Sequence, residues 1–355
     1  TAATDPGNNT VGDATVAPYI AGGAFRHRSA EEASPRQVGR ARIQGDGSNC
    51  RPHRARGRHA GPQEAPPIVL LHGYPQTSAM WHLVAPILAK SFQVVCPDLR
   101  GYGKSEKPAS DTSHLTFSKR AMSQDIIKVM KNLGHNKFFV GAHDRGARVA
   151  HRLGLDHPDS VDSMVLLDIA PTREMYDGTT MKFARAYWHW FFLIQPHPLP
   201  EQIISKDPEA FWKLKCFNQT RGENPFSKEA LAEYLEAFKH PDTIHSSCED
   251  YRAAATIDIE HDNADKGKKL LMPILALWAK RGVIETCFDA LKLWRLRADK
   301  VEGEALLAGH YLAEEIPEEV AKRMSDFFSR NIKTVSYTHL RAHETGRNLV
   351  CRLLL

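Results

Sequence analysis

The chain has 355 residues, 42% hydrophobic and 25% charged, a balance that fits one large globular domain or two ordinary ones and excludes wholesale disorder. Its longest apolar runs, Ile68–Leu71, Met164–Leu167 and Ile274–Trp278, are far too short to cross a bilayer. The net charge of +5 resides in the flanks: residues 1–66 hold nine Arg against six acidic residues, residues 334–355 hold three Arg against one Glu, and the stretch between is neutral, so neither a nucleic-acid nor a membrane partner is expected.

Residues 1–66 contain no Lys, nine Gly and six Pro and show no sustained period. They read as disordered, frame-shifted or foreign sequence, although Arg51-Pro-His-Arg-Ala-Arg-Gly-Arg-His59 has the composition of a basic arm. Short apolar runs then follow at Ile68–Leu71, Val94–Cys96, Phe138–Val140, Met164–Leu167, Ile274–Trp278 and Ala305–Leu307, each bounded by Gly, Pro or Asp. Such runs are too short for buried helices and predict strands. Between them lie helical patterns; Met122, Ile126, Ile127, Met130 and Leu133 share one face. Strand–helix alternation implies a mostly parallel sheet covered on both sides, an α/β fold.

The alternation breaks once, between about Pro171 and Ala255, where the chain is aromatic-rich and helical, as in Phe183-Ala-Arg-Ala-Tyr-Trp-His-Trp-Phe-Phe192. An insertion between two strands of one sheet predicts a cap over the strands' C-terminal ends, where such sheets bind ligands. The expected organisation is therefore a core at 67–170 and 256–333, a helical cap at 171–255, and a non-native tail at 334–355, where SYTHLRAHET resembles translated vector sequence. The six cysteines (Cys50, Cys96, Cys216, Cys248, Cys287, Cys351) form no CxxC pair, which argues against a zinc site and a disulfide framework. No secretory signal is visible, so a cytoplasmic setting is expected.

The most informative segment is Phe138-Phe-Val-Gly-Ala-His-Asp-Arg-Gly-Ala-Arg-Val-Ala-His151. A strand ends, a tight turn follows and an Ala-rich helix begins, with small residues Ala142 and Gly146 on either side of Asp144. That is the pattern of a nucleophile elbow, with Ala in place of the usual first Gly.

From His72 to about Arg330 the chain resembles an α/β-hydrolase, and more narrowly it is similar to the haloacetate (fluoroacetate) dehalogenases. The motifs that carry the resemblance are His72-Gly-Tyr-Pro75, Asp98-Leu-Arg-Gly-Tyr-Gly-Lys-Ser105 and, most specifically, His143-Asp-Arg-Gly-Ala-Arg148. The resemblance implies an α/β-hydrolase fold with a helical cap. Dimers are common among such proteins, so a homodimer is expected.

An Asp at the elbow has a chemical consequence. A carboxylate attacks a saturated carbon that carries a leaving group and forms an alkyl ester of the enzyme, which water then hydrolyses. The base should be a His after the last strand, and His310 in Ala308-Gly-His-Tyr311 fits. The acid that fixes its tautomer has two usual locations. After Ile274–Trp278 no carboxylate occurs until Glu285, whereas Asp168 directly follows Met164–Leu167; the resemblance also favours Asp168.

Haloalkane dehalogenases and many epoxide hydrolases carry Trp after the nucleophile; this chain carries Arg145, with Arg148 three residues on. Two guanidinium forks at a helix N-terminus suit a substrate carboxylate. The resemblance assigns His189, Trp190 and Tyr251 to the halide pocket, and all three side chains can donate to an anion. Backbone N–H groups of Tyr74 and Arg145 are the natural oxyanion donors. No metal or organic cofactor is implied. The leading reading is hydrolysis of a small anionic haloacetate to glycolate. An epoxide hydrolase would use the same Asp, with Tyr251 and either Tyr187 or Tyr234 protonating the epoxide oxygen, but would leave both arginines without a role. A non-catalytic member that binds a small acid would need none of Asp144, Asp168 and His310.

Two departures stand out. The fold normally begins with antiparallel strands before the His72-Gly turn, yet residues 39–66 show no apolar alternation, so the sheet is expected to lack part of an edge. Relatives commonly have Gly after the Trp of the Ile274–Trp278 strand; here it is Ala279.

Overall fold

A computed structural model describes residues 55–332 except 221 and 223. The expectations for residues 1–54 and for the tail at 334–355 lie outside the described residues. Seven strands form one sheet: β1 (Gly57–Ala60), β2 (Pro67–Leu71), β3 (Gln93–Pro97), β4 (Phe138–His143), β5 (Val161–Leu167), β6 (Ile274–Ala279) and β7 (Val301–Leu306). Their order is β1-β3-β2-β4-β5-β6-β7, and every pairing is parallel except β1 with β3. Five of the six apolar runs lie within strands, and the sixth, Ala305–Leu307, overlaps the end of β7. The interior strands are buried on both faces, which is why they read as continuous apolar runs rather than alternating ones. Edge strand β7, Val-Glu-Gly-Glu-Ala-Leu, alternates instead, and its sequence signal covers only its end.

The expectation that residues 39–66 supply no edge strand is corrected for residues 55–66, while the remainder of the expected antiparallel edge lies outside the described residues. β1 lies within residues 39–66 and pairs with β3 from Gly57 opposite Pro97 to Ala60 opposite Val94. Its four residues are all exposed, so backbone hydrogen bonds hold it and no apolar pattern announces it. Arg58, read as part of a basic arm, donates to Glu233 (2.6 Å) and to Ser78 Oγ (2.7 Å).

The helix Lys119–Asn132 buries Met122, Ile126, Ile127 and Met130, the expected face, and Ser118 caps it by accepting from the Ala121 N–H. Helices fill the insertion between β5 and β6, from Thr172–Asp177 through Pro241–Ala255. Register sets Leu71 of β2 beside Ala142 of β4, and His143 of β4 beside Leu167 of β5. The residues that leave these three strands, His72, Asp144 and Asp168, therefore emerge side by side at one end of the sheet. Among the described residues no helix is long and apolar enough to cross a membrane.

Candidate active site

β4 ends at His143 and the helix Asp144–Asp156 begins without an intervening loop. The reversal puts Asp144 at φ 45°, a left-handed conformation that costs a non-glycine residue about 1–3 kcal/mol. Crowding explains the small neighbours. A Cβ on Gly146 would sit 2.5 Å from the His72 carbonyl oxygen, and one on Gly73 would sit 2.6 Å from Asp144 Cβ. The elbow thus brings the His72–Gly73 turn against the Asp144 side chain.

Asp144 is 3% exposed. The Tyr74 N–H donates to its Oδ1 at 2.9 Å. The Arg145 N–H belongs to the first turn of the helix, whose donors have no partner within the helix. Burial works against ionisation of Asp144, but His310, His143, Lys215 and Arg148 outweigh it and hold the carboxyl well below the usual carboxylate range. The group is a carboxylate, the form a nucleophile requires.

His310 Nδ1 faces Asp168 Oδ2 at 2.6 Å, and the Ala279 N–H donates to Asp168 Oδ1 at 2.9 Å. That contact directs the proton to Nδ1 and leaves Nε2 free to accept one from water. Asp168, not Glu285, meets the imidazole; Glu285 accepts from Trp278 Nε1 (2.6 Å) and from Lys280 (2.5 Å). Ala279, the departure noted in the sequence, fits because its Cβ faces Gly282, where any Cβ would lie 2.7 Å away.

The two arginines differ. Arg145 is fully buried and largely committed. Its Nε and Nη2 donate to Asp250 at 2.9 and 2.8 Å, and Nη2 also reaches the Asp250 carbonyl at 2.7 Å. Lys119 and the Tyr102 hydroxyl bind the same carboxylate. Of the Arg145 nitrogens only Nη1 has no acceptor among the described residues. Arg148 has no carboxylate partner among the described residues; Nη1 donates to Thr172 Oγ1 (2.7 Å) and the Ala170 carbonyl (3.3 Å), and Nε has no acceptor. Burial and the nearby Arg145 lower its pKa, as for a cation that lacks a counter-ion.

His189, Trp190 and Tyr251 come together from two cap helices, Trp188–Leu193 and Pro241–Ala255. Tyr251's ring lies 6.0 Å from His189 and 6.4 Å from Trp190. The Arg145 guanidinium stacks 4.1 Å from the Tyr251 ring and Arg148 4.5 Å from Trp190. Burial pushes the His189 pKa well below its ordinary value and the Tyr251 pKa well above. His189 is therefore a neutral imidazole and Tyr251 a neutral phenol, both able to donate. Trp190 Nε1 and Tyr251 Oη have no acceptor among the described residues. Of the other tyrosines considered, Tyr187 packs 6.2 Å from the His310 ring, whereas Tyr234 donates to Glu314 at 2.8 Å.

Sequence reasoning missed three residues. His143 Nε2 lies 2.9 Å from the His310 carbonyl, and burial followed by His310 lowers its pKa to about 3; a neutral His143 braces the His310 loop. Asp250, adjacent to Tyr251, holds Arg145. Lys215 of the cap reaches the Tyr74 carbonyl at 3.1 Å. Adjacency to Tyr251 could have flagged Asp250, but nothing separates Lys215 from a surface lysine such as Lys213. The one His/Glu group among the described residues able to hold a metal ion is His197, Glu201 and His245 of the cap, and Arg252 already takes both Glu201 oxygens at 2.7 and 3.1 Å.

Comparison with known proteins agrees with the fold. The alpha/beta hydrolase fold family matches residues 66–280, and the chain belongs to that family. It is similar to a fluoroacetate dehalogenase from Burkholderia sp, 42% identical over 74% of this chain and 87% of the relative. A soluble epoxide hydrolase from Corynebacterium sp. (strain C12) is 34% identical over 74% of this chain and 90% of its own. Among solved structures, one described as an α/β hydrolase from Nostoc sp PCC 7120 superposes with a TM-score of 0.77 at 50% identity, covering 78% of this chain and 94% of that one.

Proposed function

We propose that the protein is a hydrolytic dehalogenase that converts a haloacetate to glycolate and halide through an ester on Asp144. One observation carries the reading. Four buried donors, Arg145 Nη1, Arg148 Nε, Trp190 Nε1 and Tyr251 Oη, have no acceptor among the described residues, and ring stacking ties them into one cluster. A buried unpaired donor costs about 1–3 kcal/mol. A substrate with a carboxylate at one end and a leaving halide at the other supplies acceptors for all four.

In the first step an Asp144 oxygen attacks the halogen-bearing carbon, the new C–O bond forms, and the halide leaves with the bonding pair toward His189, Trp190 and Tyr251. The arginines hold the carboxylate so that carbon lies in line with Asp144. In the second step His310 Nε2 takes a proton from water, whose oxygen adds to the Asp144 acyl carbon. The Tyr74 N–H meets the resulting oxyanion. Collapse breaks the bond to the glycolate oxygen, and His310 returns a proton to it. Loss of the proton remaining on the added oxygen to solvent restores the Asp144 carboxylate, which now carries one oxygen from water.

Identity to the fluoroacetate dehalogenase exceeds that to the epoxide hydrolase, which supports the same ranking. An uncharged epoxide would leave Arg148 and the free Nη1 of Arg145 without a carboxylate to bind, and Tyr234 is engaged with Glu314. The test is halide release from fluoroacetate and chloroacetate, with styrene oxide hydrolysis measured alongside. Halide release that Asp144→Ala abolishes is the expected result. Epoxide turnover without halide release would overturn the assignment.

A further inference from the structure

Lys215 is 3% exposed, yet among the described residues it makes no ion pair. Its Nζ donates to the Tyr74 carbonyl (3.1 Å) and lies 3.3 Å from the Tyr311 hydroxyl. The faces of the same two rings flank it, 5.2 and 5.7 Å from their centroids. A buried cation without a counter-ion is costly, and where packing alone matters an apolar side chain of similar volume serves as well or better. Burial lowers the Lys215 pKa, and the groups that work against that and favour the charged form are Cys216 and one carboxylate, Asp144.

The placement is specific. Lys215 lies on the cap helix Pro208–Phe217, one turn after Trp212, whose Nε1 donates to the Pro75 carbonyl at 3.0 Å. Two side chains on one helix face thus grip the successive carbonyls of Tyr74 and Pro75. The Tyr74 N–H is the donor to Asp144 Oδ1. The cap therefore fixes the turn that stabilises negative charge on Asp144.

We infer that Lys215 is a positioning residue for the second step: it holds the Tyr74 backbone donor and sets a positive charge beside the oxyanion formed when water attacks the Asp144 ester. The inference rests on the dehalogenase reading. Alkylation removes negative charge from Asp144, so a nearby cation does not favour that step. Water attack returns negative charge to an Asp144 oxygen, so the same cation favours it.

The test compares ester formation and ester hydrolysis in Lys215→Met and Lys215→Arg, by rapid-quench halide release from chloroacetate and intact-protein mass. Removing a direct oxyanion donor costs about 10²–10³ in rate, so loosening one is expected to slow hydrolysis about tenfold or more. Lys215→Met should release one halide per active site rapidly, then accumulate the Asp144 ester, with an unchanged or higher melting temperature. Lys215→Arg should keep turnover within a few-fold of wild type. Ester hydrolysis at the wild-type rate in Lys215→Met would overturn the inference, as would equal slowing of both steps. If Lys215→Met does not fold, Lys215→Gln carries the comparison; failure of all three to fold would make the lysine structural and overturn it. Wild-type enzyme without halide release would instead sink the dehalogenase reading, and this inference with it.

Discussion

Arg145 and Arg148 lie three residues apart on one helix, and the structure predicts opposite balances of stability and activity when each is replaced by Leu. Among the described residues Arg148 has no carboxylate partner, so Arg148→Leu removes an uncompensated buried cation and leaves the Thr172 hydroxyl, the Ala170 carbonyl and Met175 Sδ without their donor. The free protein should change in stability by no more than about 1 kcal/mol. The substrate loses a charge-assisted hydrogen bond, about 1.5–3 kcal/mol, which corresponds to about 10- to 150-fold in kcat/KM. Arg145→Leu strips the bidentate partner from Asp250, itself fully buried. Breaking a buried pair in this way costs about 3–5 kcal/mol, softened here by Lys119, which stays on the same carboxylate. Urea unfolding measures the first quantity; kcat/KM for chloroacetate, with styrene oxide as an uncharged control, measures the second. Equal destabilisation by the two substitutions would refute the contrast, and equal losses on chloroacetate and epoxide in Arg148→Leu would remove the carboxylate clamp.

His310→Asn should form the Asp144 ester but not hydrolyse it, visible as a stable mass increase after chloroacetate treatment; no adduct would exclude His310 as the water-activating base. Gly146→Ala should destabilise by at least about 1–3 kcal/mol, because its Cβ would meet the His72 carbonyl at 2.5 Å; an unchanged thermal melt would contradict the elbow geometry. Burial pushes the Glu314 carboxyl up to about 8, against hydrogen bonds from Tyr234 and Gln76. Between its unfolded value of 4.5 and about 8, the folded protein keeps a proton that the unfolded chain releases. Stability should therefore fall as pH rises through that window, by at most about 1.4 kcal/mol per pH unit from this group. Glu314→Gln should flatten the slope in urea titrations, and an unchanged slope would show that Glu314 does not carry it.

Much of the architecture was legible in the sequence because parallel strands buried on both faces leave unbroken apolar runs, and five such runs mark the five interior strands, while a short run marks only the end of edge strand β7. β1 left no such trace: its side chains are exposed and its ladder is backbone, so residues 39–66 read as structureless. Asp144, Asp168 and His310 were legible for a related reason. Each follows a strand at the same end of the sheet, where chain position fixes spatial position. Cap residues have no such rule. His189, Trp190 and Tyr251 could be placed only through resemblance to a family, and Lys215 lies within Phe-Trp-Lys-Leu-Lys-Cys-Phe, where nothing marks the buried lysine. Arg145 shows a further limit. Its charge was evident, but that Asp250 occupies most of its fork depends on a contact 105 residues away.

The central claim is that Asp144 itself attacks the substrate. A single turnover of chloroacetate in heavy-oxygen water, with enzyme in excess, tests it most directly. Attack by Asp144 delivers one of its own oxygens to glycolate, so the first product is unlabelled and the peptide bearing Asp144 gains one heavy oxygen. Labelled glycolate beside an unlabelled Asp144 peptide would mean that water displaces the halide directly, and the ester mechanism would be wrong.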